Sequence, residues 1–320
     1  MGIKNLNRFL KENCKESIRI VHLSDLRDKT IVVDTSIYMY KFVSENALIE
    51  NIYLLLSVFR AHQITPVFVF DGKPPDDKLE LLRQRKTDKI AAEQEYELLK
   101  KNDQSDSVYL NTLKKQFTYI TKKQIADVKL MIRAFNASYI EAVGESDEVC
   151  AQMVLAGDAY AVMSEDMDMF VYGCPIVLRY TSLLNHTTVL YDVKGILGTL
   201  GITQKELREI CVLAGTDYNK ENDLFCVLKL FKKYHKSENT IGFYDWLKTN
   251  GIVGEDEYIQ AIHICSRFEL PNVIYQIPLF DGIQKEKEKE KETMIALLME
   301  EGFVFPRKGG MAKSIQMACL

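Results

Sequence analysis

Seven acidic residues stand out because most of them directly follow short apolar runs or lie in short polar turns. They are Asp34, Asp71, Glu145, Asp147, Asp166, Asp168 and Asp217. Carboxylates that end consecutive parallel strands converge at one edge of an open α/β sheet. Several carboxylates packed together repel one another unless cations compensate their charge, and hard divalent cations prefer oxygen ligands. The spacing therefore predicts one site for Mg²⁺, or for Mn²⁺ in its place, assembled from distant segments.

Turn chemistry alone could explain single members of this set. An Asp after a strand often caps the next helix, and Asp34 and Asp71 both fit that description. The two closely spaced pairs, at 145–147 and 166–168, are harder to explain in this way because each places two carboxylates beside a predicted helix or turn start. Taken together, the seven acids favour a metal site.

The elements that would position these acids indicate an α/β fold. Apolar runs at 30–34 and 66–71 flank a helical periodicity over 47–62, which predicts a right-handed βαβ unit. Residues from 193 onward are expected to be mainly helical. Further short strands are expected at 160–163, 175–178 and 188–191. We therefore predict a central, mostly parallel, twisted sheet flanked by helices.

Two charged stretches interrupt this pattern. Residues 74–134 favour helix, mix both charge signs and are broken at 102–107, which predicts two helices projecting from the sheet. Residues 285–292 alternate strictly between Lys and Glu, which is typical of a solvated helix or a flexible connection. The second stretch requires no functional explanation.

The chain has 320 residues, of which 47% are hydrophobic, and a formal net charge of −4. This length and composition suffice for a large core and predict one domain over 1–305, followed by a mobile tail at 306–320. The negative charge alone argues against a nucleic-acid partner, but two divalent cations would bring the complex near neutrality. Basic residues must then be concentrated locally to hold a phosphate backbone.

Cysteine and histidine usage indicates neither disulfides nor zinc. The seven cysteines form no CxxC pair and lie mostly in apolar contexts, which predicts reduced, buried thiols. The five histidines are widely separated and show no HExxH spacing, so we expect them to be structural. The chain has no apolar run of about 18 residues or more, and its N-terminus lacks the features of a signal peptide. A soluble, intracellular protein without membrane contact is expected.

The sequence around the acids resembles the structure-specific 5′-nuclease superfamily, and most closely its flap endonucleases. The similarity extends over about 1–305 and implies the PIN-like α/β fold of that superfamily, with a helical arch at about 74–134. The blocks that carry it, in order, are Met1-Gly2-Ile3, Val33-Asp34-Thr35-Ser36-Ile37-Tyr38, Phe70-Asp71-Gly72-Lys73-Pro74-Pro75, Gly144-Glu145-Ser146-Asp147, Glu165-Asp166-Met167-Asp168 and Leu213-Ala214-Gly215-Thr216-Asp217-Tyr218.

This resemblance implies a role for each matching residue. All seven acids would surround two Mg²⁺ ions, with Asp166 essential for catalysis and Asp147 in a position that is usually glutamate. Lys78 and Arg85 match a basic pair that grips the scissile phosphate. Tyr40 matches an aromatic residue on which a base stacks beside the cut; the alternative is core packing next to Phe42.

Further nucleic-acid contacts are implied along the arch and near the N-terminus. Gly2 matches the residue whose lack of a side chain lets the N-terminus approach DNA. The second half of the arch offers phosphate contacts at Lys114, Lys115, Lys122 and Lys123.

The chain departs from the family in the helical region at about 210–270 that would grip duplex DNA. The family carries a glycine-containing hairpin after Asp217, but residues 219–227 of this chain contain no glycine. An amphipathic helix from Leu224 is expected in its place, and it carries lysines at positions 229, 232, 233 and 236. The last residues do not match a sliding-clamp peptide, so clamp binding is not predicted.

The resemblance implies a structure-specific endonuclease acting on 5′ flaps and gaps, with 5′-to-3′ exonuclease activity, in DNA replication, repair or recombination. Its partner would be branched or nicked DNA with a single-stranded 5′ end, and its products would carry 5′-phosphate and 3′-hydroxyl ends. An RNA endonuclease of the same superfamily is one alternative, made plausible by the altered hairpin. A catalytically silent nucleic-acid-binding scaffold is the other, although it has no need of seven acids beside phosphate. Either the nucleus or, for a trimmed viral member, cytoplasmic replication sites are the expected location.

Overall fold

The computed structural model describes residues 3–101, 107–219, 222–237, 240–271 and 284–304. Gly2 and the tail at 306–320 lie outside these ranges, as does most of the break expected at 102–107. The predictions made for those positions therefore remain predictions.

One sheet of seven strands organises the described residues, in the order β1-β7-β6-β5-β2-β3-β4. Neighbouring strands from β6 to β4 run parallel, whereas β7 is antiparallel to both β6 and β1. This arrangement confirms the predicted mostly parallel α/β sheet. The strands are β1 (Ile18–His22), β2 (Thr30–Asp34), β3 (Thr65–Phe70), β4 (Ser138–Glu141), β5 (Ala161–Met163), β6 (Ile176–Ser182) and β7 (Thr187–Asp192).

Helices cover both faces of the sheet and dominate the second half of the described chain. They are α1 (Leu6–Asn13), α2 (Thr35–Ser44), α3 (Leu48–Ala61), α4 (Leu79–Lys101), α5 (Ser107–Gln116), α6 (Lys122–Ala134), α7 (Ser146–Ala156), α8 (Asp168–Tyr172), α9 (Val193–Leu200), α10 (Gln204–Ala214), α11 (Leu224–Lys236), α12 (Phe243–Thr249), α13 (Glu255–Arg267) and α14 (Gln284–Glu300). No helix in the described ranges is long and apolar enough to cross a lipid bilayer.

Side-chain alternation along β2 divides the apolar interior into two cores. Val32 belongs to the core that also contains residues of α7, α8 and α10. Ile31 and Val33 point to the opposite face, into the core shared with α2, α3 and α6. Successive residues of a strand point to opposite faces, so a strand that is apolar throughout requires cover on both sides. The run Thr30–Asp34 is buried for this reason and holds its last residue in a fixed position.

The charged stretch after β3 forms three helices rather than the expected two. Helices α4 and α5 pack against each other, whereas α6 buries Val128, Met131 and Ile132 in the second core. Helix α14 packs on α6, and Arg133 bonds Glu290 at 2.6 Å. The alternating Lys/Glu stretch therefore forms the start of α14, and the later part of that helix is anchored. The sequence did not reveal the anchoring because the apolar residues of α14 follow the charged repeat.

Candidate active site

Four adjacent parallel strands deliver six of the seven acids to one edge of the sheet. Asp34 is the last residue of β2, Asp71 directly follows β3, the pair at 145–147 begins α7 after β4, and the pair at 166–168 begins α8 after β5. Asp217 comes from a different direction, just after the end of α10. The structure thus places six of the acids at the carboxyl ends of parallel strands, as the sequence pattern predicted, whereas Asp217 follows a helix.

Two serines hold Asp34 in place, and the sequence pattern did not single them out. Ser146 Oγ donates to Asp34 Oδ1 at 3.1 Å, and Ser164 Oγ donates to Asp34 Oδ2 at 2.9 Å. The backbone N–H of Ser146 also donates to Asp71 Oδ1 at 2.9 Å. These bonds tie the ends of β2 and β3 to the start of α7 and to the residue after β5. The sequence could have indicated both serines, since each lies within two residues of a predicted metal ligand.

The turn after β3 passes so close to the turn after β4 that only glycine fits. The backbone N–H of Gly72 donates to the carbonyl oxygen of Gly144 at 2.7 Å. A Cβ atom added at Gly72 would overlap the backbone carbonyl oxygen of Ala142. The close approach fixes Asp71 relative to the loop that carries Glu145, and it explains why this turn contains glycine.

The acids carry more negative charge than their surroundings neutralise. Burial, followed by the charge of Asp71, raises the pKa of Asp34 to about 7. Burial and neighbouring carboxylates also raise the pKa values of Asp147 and Asp168 well above their usual range. Asp168 Oδ1 is buried without a hydrogen-bond partner. Such a set of crowded and partly unpaired oxygens fits divalent cations with oxygen ligands.

Two cations from the charged stretch reach into this cluster. Lys78 is only 5% exposed, and its Nζ donates to Glu145 Oε1 at 2.8 Å and lies 3.7 Å from Asp217 Oδ2. Burial alone would lower the pKa of Lys78, but its contacts with Tyr218, Glu145 and Asp217 raise the pKa overall, so the ammonium is charged. Arg85 donates to both carboxylate oxygens of Asp217 at 2.9 Å. The predicted basic pair is therefore brought together with the acids.

Tyr218 completes this group, although the sequence pattern had marked it only as part of a motif. Its hydroxyl donates to Glu145 Oε2 at 2.8 Å, and Lys78 Nζ lies 4.6 Å from its ring centroid. Within the described ranges, no three of the acids bring their oxygens within 4.8 Å of one another.

The remaining predicted nucleic-acid contacts lie outside this cluster. Tyr40 is 42% exposed, whereas Phe42 is only 4% exposed, so Tyr40 is not a core residue. Lys89 Nζ lies 4.8 Å above the Tyr40 ring. Lys114 donates to Asn46 Oδ1 at 3.2 Å. The other three lysines predicted as arch contacts are exposed to solvent; they are Lys115, Lys122 and Lys123.

The segment after Asp217 leads into an amphipathic helix, as expected. Asn219 Oδ1 accepts from the Thr216 backbone N–H at 2.9 Å, and Asp223 caps α11 through the N–H of Phe225 at 2.7 Å. Leu224, Val227 and Phe231 are buried. The four lysines at 229, 232, 233 and 236 are exposed along this helix. Residues 220–221 of the expected hairpin lie outside the described ranges.

Comparisons with known proteins identify two matching family models and several relatives. The XPG N-terminal domain matches residues 1–92, and the XPG I-region matches residues 136–217. The protein called Flap endonuclease 1 of Methanococcus aeolicus is 30% identical over 240 residues, covering 68% of this chain and 69% of the relative. The Flap endonuclease 1 of Cryptosporidium muris is 30% identical over 308 residues, covering 86% of this chain but only 63% of the relative.

A solved structure shares the fold. The catalytic core of Rad2 in complex with a DNA substrate superimposes with a TM-score of 0.66 at 21% identity, covering 95% of this chain and 96% of that one. The matched family regions include all seven acids, Lys78 and Arg85.

Proposed function

Because the chain belongs to the flap endonuclease branch of the structure-specific 5′-nucleases, we propose that it is a metal-dependent DNA endonuclease acting on 5′ flaps and gaps, with 5′-to-3′ exonuclease activity. The observation that carries this proposal is the meeting of seven acids from separate segments with Lys78 and Arg85 at one sheet edge. Hydrolysis would leave a 5′-phosphate and a 3′-hydroxyl. The physiological roles would be DNA replication, repair or recombination.

The seven acids would hold two Mg²⁺ ions, with Mn²⁺ able to substitute. The raised pKa values of Asp34, Asp147 and Asp168 and the unpaired Asp168 Oδ1 support this assignment. When bound, such ions supply positive charge at the phosphodiester and favour water as a nucleophile. Ser146 and Ser164 orient both oxygens of Asp34.

Lys78 and Arg85 would stabilise the charge that develops on the phosphate during cleavage. Both are held at the cluster by Glu145 and Asp217, so their charges are already directed at the place where the scissile phosphate would lie. A preorganised cation stabilises a developing negative charge without needing to transfer a proton. Tyr218 would position Lys78 through Glu145, to which both side chains bond.

DNA would follow the edge of the sheet and the charged helices. Tyr40, exposed beside Lys89, would stack on a base next to the cut, and the helices α4 and α5 would form the arch that receives a single-stranded 5′ end. Lys114, Lys115, Lys122 and Lys123 would contact phosphates, and Gly2 would let the N-terminus approach the duplex. The exposed lysines of α11 would hold the duplex in place of the family's glycine-containing hairpin.

A panel of labelled substrates tests this proposal. A 5′ flap, a nicked duplex, a four-way junction and a structured RNA of matched length are incubated with the full chain in Mg²⁺, and products are resolved by length and end chemistry. We expect the flap to be cut fastest, near its base, with a 5′-phosphate on the downstream product. Preferential cutting of the RNA would instead favour the RNA endonuclease. Binding of DNA without any cleavage would favour the silent scaffold.

A further inference from the structure

Three of the five histidines converge, although the sequence separates them widely. One ring nitrogen from each of His22, His62 and His186 lies within 4.8 Å of the other two. His22 ends β1, His62 follows α3, and His186 lies in the turn between β6 and β7. The sequence separates these histidines and predicts a structural role for each, and it gives no sign that three of them lie together. Histidine spacing along the chain could not reveal the cluster, because its members come from three different segments.

The three rings meet edge-on or tilted and are not stacked face to face. His62 Nε2 and His186 Nδ1 lie 2.9 Å apart, joined by one hydrogen bond. The ring of His22 is nearly perpendicular to that of His62, with 5.2 Å between their centroids. His22 Nδ1 accepts from the backbone N–H of Ser24 at 3.2 Å and lies 2.7 Å from Ser24 Oγ. A metal ion bound at His22 Nε2 would therefore require the other imidazole tautomer, in which Nδ1 donates to the Ser24 hydroxyl and no longer accepts from the N–H.

The backbone holds the three histidines in position. The N–H of Leu23, next to His22, donates to the carbonyl oxygen of His186 at 2.8 Å. His186 itself has a φ of +51°, a conformation that non-glycine residues adopt infrequently. The N–H of Asp28 donates to the carbonyl oxygen of Gln63, next to His62, at 2.9 Å. These bonds connect the three segments, so little conformational entropy remains to be lost on binding a ligand.

The pKa of His62 is lowered by burial first and then by its cationic or protonatable neighbours His186, His22 and Arg27. A neutral imidazole is the form that coordinates a metal ion. The same Arg27 charge opposes cation binding, which argues against a hard cation held by charge alone. Nitrogen ligands instead suit a borderline transition metal.

We propose that His22, His62 and His186 form a binding site for one divalent transition-metal ion of the Zn²⁺ type. Three imidazoles leave a fourth position of a tetrahedral ion for water, and His22 is exposed and the other two partly exposed, so the ion can enter from solvent. Binding would replace the His62–His186 hydrogen bond and clamp β1, α3 and the β6–β7 turn together. In the described part of the chain, the three rings contact one another and Ser24 but none of the seven acids, so the site is separate from the candidate active site.

Calorimetric titration of the full chain with Zn²⁺ in excess Mg²⁺ tests this site. The acids can also bind Zn²⁺, so the titration is done both in the wild type and in Asp166→Asn. The site variants are His62→Gln and His186→Asn, the latter because Asn accepts a positive φ. His263→Gln is the control, since His263 is exposed and lies outside the cluster. Circular dichroism establishes that each variant is folded.

We expect one Zn²⁺ per chain that persists in Asp166→Asn and in His263→Gln. Loss of a ligand should weaken the affinity of that site at least about tenfold in His62→Gln and in His186→Asn, because even outer-shell changes have effects of this size. Electron paramagnetic resonance of the Cu²⁺-loaded chain should show coordination by several nitrogens. Zn²⁺ affinity that is equal in all folded variants, or Cu²⁺ bound by oxygen alone, would overturn the proposal.

Discussion

Arg85 donates from one guanidinium nitrogen to both carboxylate oxygens of Asp217, at 2.9 Å each, although 132 residues separate them in the chain. This contact joins α4, in the charged stretch, to the segment that follows α10. Lys78 makes a related contact with Glu145, so two cations of the stretch are each paired with one of the seven acids. Divalent ions held by these acids, as we propose, would share the carboxylate oxygens with Lys78 and Arg85.

Lys78→Met should slow cleavage far more than it weakens DNA binding. Removing one preorganised charge from a developing anion costs on the order of 10²–10³-fold in rate. Single-turnover cleavage of a 5′ flap measures the rate, and fluorescence anisotropy in Ca²⁺ measures the affinity. The matched control is Lys115→Met, because Lys115 is exposed on α5. Equal cleavage rates for the two variants would contradict the proposed role of Lys78 in stabilising the charge on the phosphate.

Tyr40→Ala should weaken flap binding by about 1–3 kcal/mol, the usual contribution of an aromatic side chain on which a base stacks. Tyr40→Phe should keep most of the affinity, because the ring remains. The thermal midpoint should change little in either variant, since Tyr40 is 42% exposed. A lower midpoint with unchanged affinity would instead indicate a packing role for Tyr40.

Gly72→Ala should reduce both stability and metal affinity. The added methyl group meets a backbone carbonyl that cannot rotate away, and overpacking of this kind costs about 1–3 kcal/mol. Asp71, the neighbouring residue, would move with the turn. Chemical denaturation and Mg²⁺ titration measure the two effects. Gly198→Ala in α9 is the matched control, because nothing lies within 4 Å of its added Cβ, and it should stabilise the helix slightly.

Glu209→Gln should stabilise the protein in alkaline but not in acidic buffer. Burial raises the pKa of Glu209 from an ordinary 4.5 to about 7. Between these two pH values Glu209 is protonated in the folded chain and ionised in the unfolded chain. Stability contributed by this group is therefore complete below pH 4.5 and is lost as the pH rises through about 7. The amide cannot ionise and avoids this loss.

The gain for Glu209→Gln should be on the order of 1–2 kcal/mol near pH 8, less than the full shift because Lys205 and solvent screen the charge. The gain in the free energy of unfolding should become smaller as the pH falls towards about 5. Urea denaturation at the two pH values measures it. A gain that is the same at both would show that the carboxylate is not responsible.

Much of the fold could be predicted because local patterns agree with the tertiary structure. The apolar run ending at Asp34 is buried on both faces, and the helical periodicity at 47–62 matches α3. Strand β1 was missed because three of its five residues are exposed, so it carries no clear alternation. The sequence predicted that α6 belongs to the two helices projecting from the sheet. Its many charged residues hide the apolar periodicity of the face that packs on α3.

The candidate site was predicted in part, and for a physical reason. Acids at strand ends have a fixed position in an open parallel sheet, so their convergence follows from the sequence. The roles of Ser164 and Tyr218 depend on side-chain directions that only the folded chain defines. The three-histidine cluster depends on contacts between distant loops, which leave no periodic pattern. The metal-ligand and DNA-contact roles stay predictions until they are measured.

The most direct test of the central claim is Mg²⁺-dependent cleavage of a 5′ flap by the wild type and by Asp166→Asn. Asp166 is buried, and burial raises the pKa of its carboxyl group. The backbone N–H of Asp168 donates to Asp166 Oδ1 at 3.1 Å, a bond that an amide oxygen can also accept, so the amide should fold at least as stably as the acid in EDTA. The account predicts a folded variant, by circular dichroism and thermal melting, whose cleavage rate falls by about 10²-fold or more. A folded Asp166→Asn with near-normal metal-dependent turnover would contradict it.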